Sequence, residues 1–384
     1  MKSSEITFLF GSGISFPSGI PSVKHITNSL INGNWRKTSF ESYCPDDEHR
    51  NLVAQKFAKH IVEETKKIRS ESIFSHYHDL EVTYEDIFSV LEQIRQNGGG
   101  LENLATSIFL ERIYKTAEKK VWRGQKEAPN GGDFDTACIQ TEKLIKWGVK
   151  SLIEKDGLAP KRENIVGFDL FDNIEHCGEI SKVNIFTLNH DLLIETYLQD
   201  SVDTFFKPIT DKISILDTSF SNNGKKFNLY KLHGSVDWVS AKSISESVFY
   251  TLKSNMFPME LYLKLRSLGY DNIDIDPLVL SGSMVKEYRY CFGPFYDLFP
   301  QFHLKLNSTK TLFISGYGWG DFGINRRLLH WLQYILGTKL ILLHDGEMPP
   351  FFKNHFLNDR FEDKVVIIPK WFQNCNIEDI VSNL

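Results

Sequence analysis

No two cysteines in this sequence lie close together. The five, Cys44, Cys138, Cys177, Cys291 and Cys375, are scattered and form no Cys-x-x-Cys. A structural zinc module needs paired thiolates at short spacing, so no zinc, and no other metal, is expected. An odd, dispersed set also fits a reducing cytosol better than a disulfide framework. Long apolar runs are lacking too. The N-terminal run Ile6–Phe10 is too short for a signal core or a membrane span, so a soluble, cytoplasmic chain without membrane contact is expected. Charge of one sign is scarce: the net charge is −5 over 384 residues, which excludes a surface given over entirely to nucleic acid. Internal repeats and low-complexity segments are absent.

Phenylalanine, by contrast, is abundant, with 29 copies, and predicts an aromatic core. Short β-rich runs stand at 6–10, 183–189, 227–233, 277–281, 311–316, 339–344 and 364–369. Most are continuously apolar, as strands of a parallel sheet covered on both faces should be. Helical patterns follow several of them, at 191–198 and 325–336. The fold class this predicts is α/β: a doubly wound, mostly parallel, Rossmann-like sheet. Residues 31–180 read differently. Amphipathic patterns at 51–69, 84–96, 101–120 and 135–154 predict helices, with breaks at Asn97–Gly100 and Pro129–Gly132. In 84–96, Ile87, Val90, Leu91 and Ile94 form one apolar stripe. The expectation is one domain over 1–384 with a large helical insertion, 31–180, after the first strand.

Four motifs carry candidate chemistry, and each follows a strand. Gly11-Ser12-Gly13-Ile14-Ser15 comes after 6–10, with Ser18-Gly19-Ile20-Pro21 next to it. Glycines let a backbone turn sharply and bring its N–H groups close to a phosphate, though Gly-x-Gly alone fits an ordinary strand-to-helix turn better. Thr187-Leu188-Asn189-His190-Asp191 ends the second strand, where open α/β sheets bind ligands. Asp191 there is also placed to cap the helix that follows. Leu232-His233-Gly234-Ser235 puts a histidine at a strand end. Gly316-Tyr317-Gly318-Trp319-Gly320-Asp321, with Asn325 opening the next helix, reads as a nucleotide-facing loop or a plain glycine-rich turn. Other features carry less. Histidines at i and i+2, as in His76-Tyr77-His78, point apart on a helix, and no carboxylate pattern completes a metal site. Lys119, Lys120 and Arg123 fit a solvated helix face. The aromatic run Phe292–Phe302 fits core or a subunit interface.

The order of these motifs resembles the sirtuin family: Gly-Ala-Gly-Ile-Ser, Ser-Gly-Ile-Pro, Thr-Gln-Asn-Ile-Asp, His-Gly, then a glycine-rich adenosine loop. The matching segments are Gly11–Ser15, Ser18–Pro21, Thr187–Asp191, His233–Gly234 and Gly316–Gly320. Protein-deacylating sirtuins continue Ser-Gly-Ile-Pro with Asp-Phe-Arg and carry a four-cysteine zinc module. This chain has Ser22-Val23-Lys24 and lacks the paired cysteines. It is more similar to the divergent prokaryotic sirtuin-like proteins of antiphage defence, which hydrolyse NAD+.

The resemblance implies NAD+ as substrate and cleavage of its nicotinamide–ribose bond. It implies that Asn189 orients the ribose and the attacking water, His233 acts as general base, and Asp191 holds the nicotinamide or ribose region. Gly11, Ser12, Gly13 and Ser15 would line the pyrophosphate, with Thr187 beside them. Gly316, Tyr317, Asp321 and Asn325 would face the adenosine. A protein deacylase and a non-catalytic NAD+ or ADP-ribose-binding scaffold in a nucleic-acid complex are the competing readings. A toxic hydrolase needs restraint, so a homo-oligomer or a separate partner is expected. Relatives of this kind work beside a DNA-translocating ATPase, the better match at this length, or a short Argonaute. Any nucleic-acid contact would then pass through that partner.

Overall fold

The computed structural model describes residues 4–39, 41–48, 52–71, 81–98, 104–121, 131–154, 160–221, 223–282 and 286–384. His76-Tyr77-His78, Arg123 and the breaks at Gly99–Gly100 and Pro129–Asn130 lie outside them. The chain divides into two compact units: Met1–Ile20 with Glu154–Leu280 and Glu287–Leu384, and Pro21–Ile153 with Ser281–Lys286.

The first unit is built on seven strands: β1 (Ser4–Phe10), β2 (Ile180–Thr187), β3 (Val202–Asp203), β4 (Phe227–Lys231), β5 (Thr311–Ser315), β6 (Lys339–Leu343) and β7 (Val365–Ile368). Their order across the sheet is β7-β6-β5-β1-β2-β4-β3. Every pairing is parallel. The continuous apolar runs have the expected cause: alternate residues bury on opposite faces. On β1, Phe8 and Phe10 face a cluster with Phe171, Phe313 and Phe372. Leu9 faces the other, with Phe186, Phe302, Ile314 and Trp331. From β1 the chain moves to β2 on one side, and from β5 to β6 on the other. The carboxyl ends of β1 and β5 therefore flank a topological switch point, the place where open α/β sheets form a ligand crevice.

Two features of this unit depart from the sequence reading. The run 277–281 does not join the parallel sheet. Only Leu278–Val279 is extended, and it pairs antiparallel with Gly234–Ser235. Hydrogen-bonding partners close to His233 outcompete a distant sheet edge. The second feature is a separate five-stranded antiparallel sheet: Tyr270–Asp274, Trp238–Ser243, Phe249–Ser254, Ile213–Leu216 and Phe206–Pro208, in that order. It is covered by helix Pro258–Ser267 over a small core of Ile213, Val239, Ala241, Leu252, Leu261 and Leu265. Its strands are short and half polar, which hides them from a search for apolar runs.

The second unit is helical: Val23–Asn32, Val53–Ser70, Tyr84–Gly98, Leu104–Lys120 and Gly131–Ile153, with a hairpin of Trp35–Lys37 and Tyr43–Pro45. The stripe Ile87, Val90, Leu91 and Ile94 is buried. Ser22 caps the first helix, its side chain accepting from the His25 amide at 3.2 Å. Ser22-Val23-Lys24 is thus a helix start. Its last long helix ends at Ile153, short of the expected boundary at 180. Helix Asp169–His176 buries Leu170, Phe171 and Ile174 among the aromatic residues of the parallel sheet and belongs there.

No helix among the described residues is long and apolar enough to cross a membrane.

Candidate active site

At the switch point, backbone meets backbone. The Gly11 amide donates to the Ser315 carbonyl at 3.1 Å and the Gly13 amide to the Gly316 carbonyl at 2.9 Å. Gly316 has φ +65°, and a Cβ on Gly11 would stand 2.5 Å from the Gly316 oxygen. Only glycine permits so close an approach. These two amides, expected on a pyrophosphate, are here used to join the loops after β1 and β5. Ser12 stays exposed at the start of the short 3-10 turn Ser12–Ser18.

The second motif folds onto the first. The Asn189 amide group donates to the Gly11 carbonyl at 3.1 Å and to Ser15 Oγ at 3.0 Å. The Ser15 hydroxyl in turn donates to Asp191 Oδ2 at 2.7 Å. The other oxygen of Asp191 accepts from the Leu193 amide at 3.1 Å, an Asx-type turn; the N-cap of the helix Leu193–Leu198 is Leu192 and not Asp191 as expected, and Asp191 borders the site one residue earlier. Thr187 supports the turn: its hydroxyl accepts from the Asn189 amide, and its carbonyl accepts from the Leu232 amide. Beneath them Lys231, at the end of β4, donates to the Asp191 carbonyl and pairs with Glu195 at 2.8 Å. Burial pushes the Asp191 carboxyl above its usual range, against the opposing pull of Lys231 and the Ser15 hydroxyl.

His233 stands two residues beyond the end of β4. Its position is fixed by the Leu280 amide on its carbonyl at 2.8 Å, and the Val236 amide ties the same loop to the His190 carbonyl at 3.1 Å. The ring nitrogen Nε2 lies 2.9 Å from Asp321 Oδ2 and 3.1 Å from the Tyr290 hydroxyl. The Tyr290 hydroxyl donates to the same Asp321 oxygen at 2.9 Å. All three groups are buried. The His190 ring stands 6.3 Å from the His233 ring.

Asp321 was expected at the adenosine. Its carboxylate instead divides between His233 and the helix Phe322–Tyr334, which it caps through the Ile324 amide at 3.0 Å. Trp319, two residues before it, has φ +59°. A tryptophan holds that costly conformation only when its surroundings enforce it. Here its ring is wedged against Tyr317, Phe352 and Phe356. The Tyr317 hydroxyl lies 3.0 Å from the Asp321 carbonyl and 2.8 Å from Asn325 Oδ1, while Asn325 donates to the Trp319 carbonyl at 2.8 Å. Tyr317 and Asn325 are thus buried braces of the loop that aims Asp321.

Tyr290 was missed. It stands just before the aromatic run, whose Phe295, Phe299 and Phe302 are core. The Tyr290 ring stacks on Phe299 with centroids 3.5 Å apart. Arg327 lies over the Phe299 ring at 3.6 Å. Burial and the neighbouring Asp321 charge push the Tyr290 phenol well above its ordinary pKa, so it is a neutral donor. No local pattern distinguishes it; only the contact across 31 positions with Asp321 does.

Residues 183–366 match the family described as the SIR2-like domain. No curated protein sequence matches the chain. Among solved structures, it is similar to Sir2Tm bound to a propionylated peptide, at 14% identity and a TM-score of 0.35, over 99% of this chain and 91% of that one. A Sir2–p53 peptide–NAD+ complex gives 15% identity and 0.36, over 99% and 91%. Sir2 with the inhibitor EX-527, 2'-O-acetyl-ADP-ribose and a deacetylated p53 peptide gives 13% and 0.36, over 97% and 90%. The matched segment 183–366 holds Asn189, Asp191, His233, Tyr290, Asp321 and Asn325, and over it this chain is similar to that family.

Proposed function

We propose that this protein is an NAD+ glycohydrolase. The supporting observation is the arrangement at the strand ends: Ser15, Asn189 and Asp191 form one hydrogen-bonded chain after β1 and β2, and His233 stands after β4. The bond broken is that between ribose C1′ and the nicotinamide nitrogen. Nicotinamide leaves neutral from a cationic ground state, so its departure needs no general acid. The ribose passes through an oxocarbenium-like state, as in glycoside hydrolysis. Water adds to C1′, its proton goes to His233, and the products are nicotinamide and ADP-ribose. Asn189, held by two partners, positions the ribose and the water. The Asp191 carboxylate supplies negative charge near the developing cation.

Two features favour water over an acyl-lysine peptide as acceptor. Ser22-Val23-Lys24 opens a helix, and the cysteines lack the pairing of a zinc module. By its resemblance to antiphage sirtuin-like proteins, the chain would act as an abortive-infection effector in the cytoplasm. It would be gated by self-assembly or by a separate partner of ATPase type, with a short Argonaute as the second choice. The experiment is NAD+ loss and nicotinamide release by the purified chain, with and without an acyl-lysine peptide. Asn189→Ala and His233→Ala should each lower turnover about a hundredfold or more. Wild-type turnover in both variants, or release that requires the peptide, would overturn the reading.

A further inference from the structure

The triangle of His233, Asp321 and Tyr290 holds more than a histidine and its partner. We propose that Asp321 and Tyr290 are positioning residues that set the proton affinity of His233 in opposite senses. This deepens the NAD+ glycohydrolase reading and rests on it for the role of His233.

The argument begins with donors and acceptors. The Tyr290 hydroxyl and His233 Nε2 both lie 2.9 Å from Asp321 Oδ2. An ionised carboxylate only accepts, so both neighbours donate to it. The proton on Nε2 is thereby fixed, and so is the tautomer of the neutral ring. A carboxylate at this distance stabilises the imidazolium and favours protonation. Tyr290 acts the other way. Its donated hydrogen bond draws charge from the same oxygen and weakens the attraction that Asp321 exerts on the ring. Its oxygen, 3.1 Å from Nε2, also gives the Nε2 proton a second acceptor, which holds the ring in plane.

Among the described residues, the groups facing the ring include Asp321 at the start of helix Phe322–Tyr334, Tyr290, and His190 after β2. Arg327 and Tyr317 act on Tyr290 in turn. The strong upward push on the Tyr290 phenol keeps it a hydrogen-bond donor across the working pH range. Stacking on Phe299 keeps its hydroxyl aimed at Asp321. The general base is therefore oriented by a carboxylate from the Gly-rich loop and moderated by a phenol from an unrelated segment.

The test compares Asp321→Asn with Tyr290→Phe in the full chain. Asparagine retains the cap on Ile324, and phenylalanine retains the stack on Phe299, so both variants should fold. The readouts are the acidic limb of kcat/KM for NAD+ cleavage and the NMR titration midpoint of the His233 ring in 15N-histidine-labelled protein. His233→Asn identifies the resonance. Asp321→Asn should move both midpoints down by about one pH unit. Tyr290→Phe should move both up by roughly half a unit. Shifts in the same direction, or a loss of rate at every pH with neither midpoint moved, would overturn the proposal. If the unaltered chain releases no nicotinamide, the glycohydrolase reading fails, and the NMR midpoints alone still decide this one.

Discussion

The two sides of the site are built by different rules. On one side, Ser15, Asn189 and Asp191 come from motifs that each end a strand, and their bonds run between motif residues or to nearby backbone. On the other, His233 takes its partners from 57 and 88 positions away, and one of them lies in no motif. The first side is held by many neutral contacts around one buried carboxylate. The second depends on a single carboxylate oxygen shared by two donors. The first should therefore bend under substitution, and the second should break.

The largest effect is expected where the His233 side is hinged. Gly234 has φ +77°, and a Cβ there would lie 2.0 Å from the Leu278 carbonyl oxygen. That carbonyl belongs to the short strand pairing which pins His233. Gly234→Ala must both strain the backbone and separate the pair. It should destabilise the chain by about 3 kcal/mol or more and lower kcat/KM roughly a hundredfold. Denaturant unfolding and NAD+ turnover measure the two effects. Gly178, with open space around its Cβ position, is the control: Gly178→Ala should stay within about 0.5 kcal/mol. If Gly234→Ala matches that control, His233 is held by something other than this hinge.

The same contrast explains what could be read from the sequence. The parallel sheet was legible because both faces are covered, which turns each strand into an apolar run. The placement of Asn189, Asp191 and His233 just beyond strand ends was legible, because a strand end is a place that sequence order reveals. The five-stranded sheet was not, since Trp238–Ser243 and Phe249–Ser254 interleave polar residues such as Ser240, Lys242 and Lys253. Strand 277–281 was misplaced for a related reason: an apolar run shows that a segment is buried, but not which backbone it pairs with. For Asp321 the sequence shows the loop but not the contact with His233, which lies 88 positions away. Tyr290 was invisible, because its contacts with His233 and Asp321 join distant segments and its residue type is common in cores.

A middling effect is expected at Asp191, and its sign separates the two sides. Its carboxyl is pushed up by burial, so the folded chain holds this proton at pH values where the unfolded chain has released it. Stability from this group therefore falls as pH rises from the unfolded pKa through the folded one, and ionisation costs the fold thereafter. Asp191→Asn removes that cost. It should stabilise the chain by about 1 kcal/mol at neutral pH, with less gain in acid. Activity should fall about tenfold, since Ser15 must reverse its hydrogen bond while Asn189 keeps the Gly11 carbonyl. Unfolding curves at several pH values, paired with turnover, test this. A variant that is less stable at neutral pH would mean that Lys231 and Ser15 outweigh the burial of the carboxylate.

The smallest effect is expected at Tyr317, where it decides how far the His233 side extends. The sequence placed Tyr317 on the adenosine, whereas the structure turns its hydroxyl inward to the Asp321 carbonyl and to Asn325. Tyr317→Phe should lose about 1 kcal/mol of stability, the ordinary value of a buried hydrogen bond. KM for NAD+ should change less than about twofold, because a brace contributes nothing to binding the adenosine directly. The kcat should fall only slightly, because the backbone of Asp321 is loosened while its carboxylate keeps both donors. A roughly tenfold rise in KM at unchanged stability would reverse this assignment. The glycine-rich loop would then be a substrate-facing element after all, and Asp321 would divide its work between the base and the nucleotide.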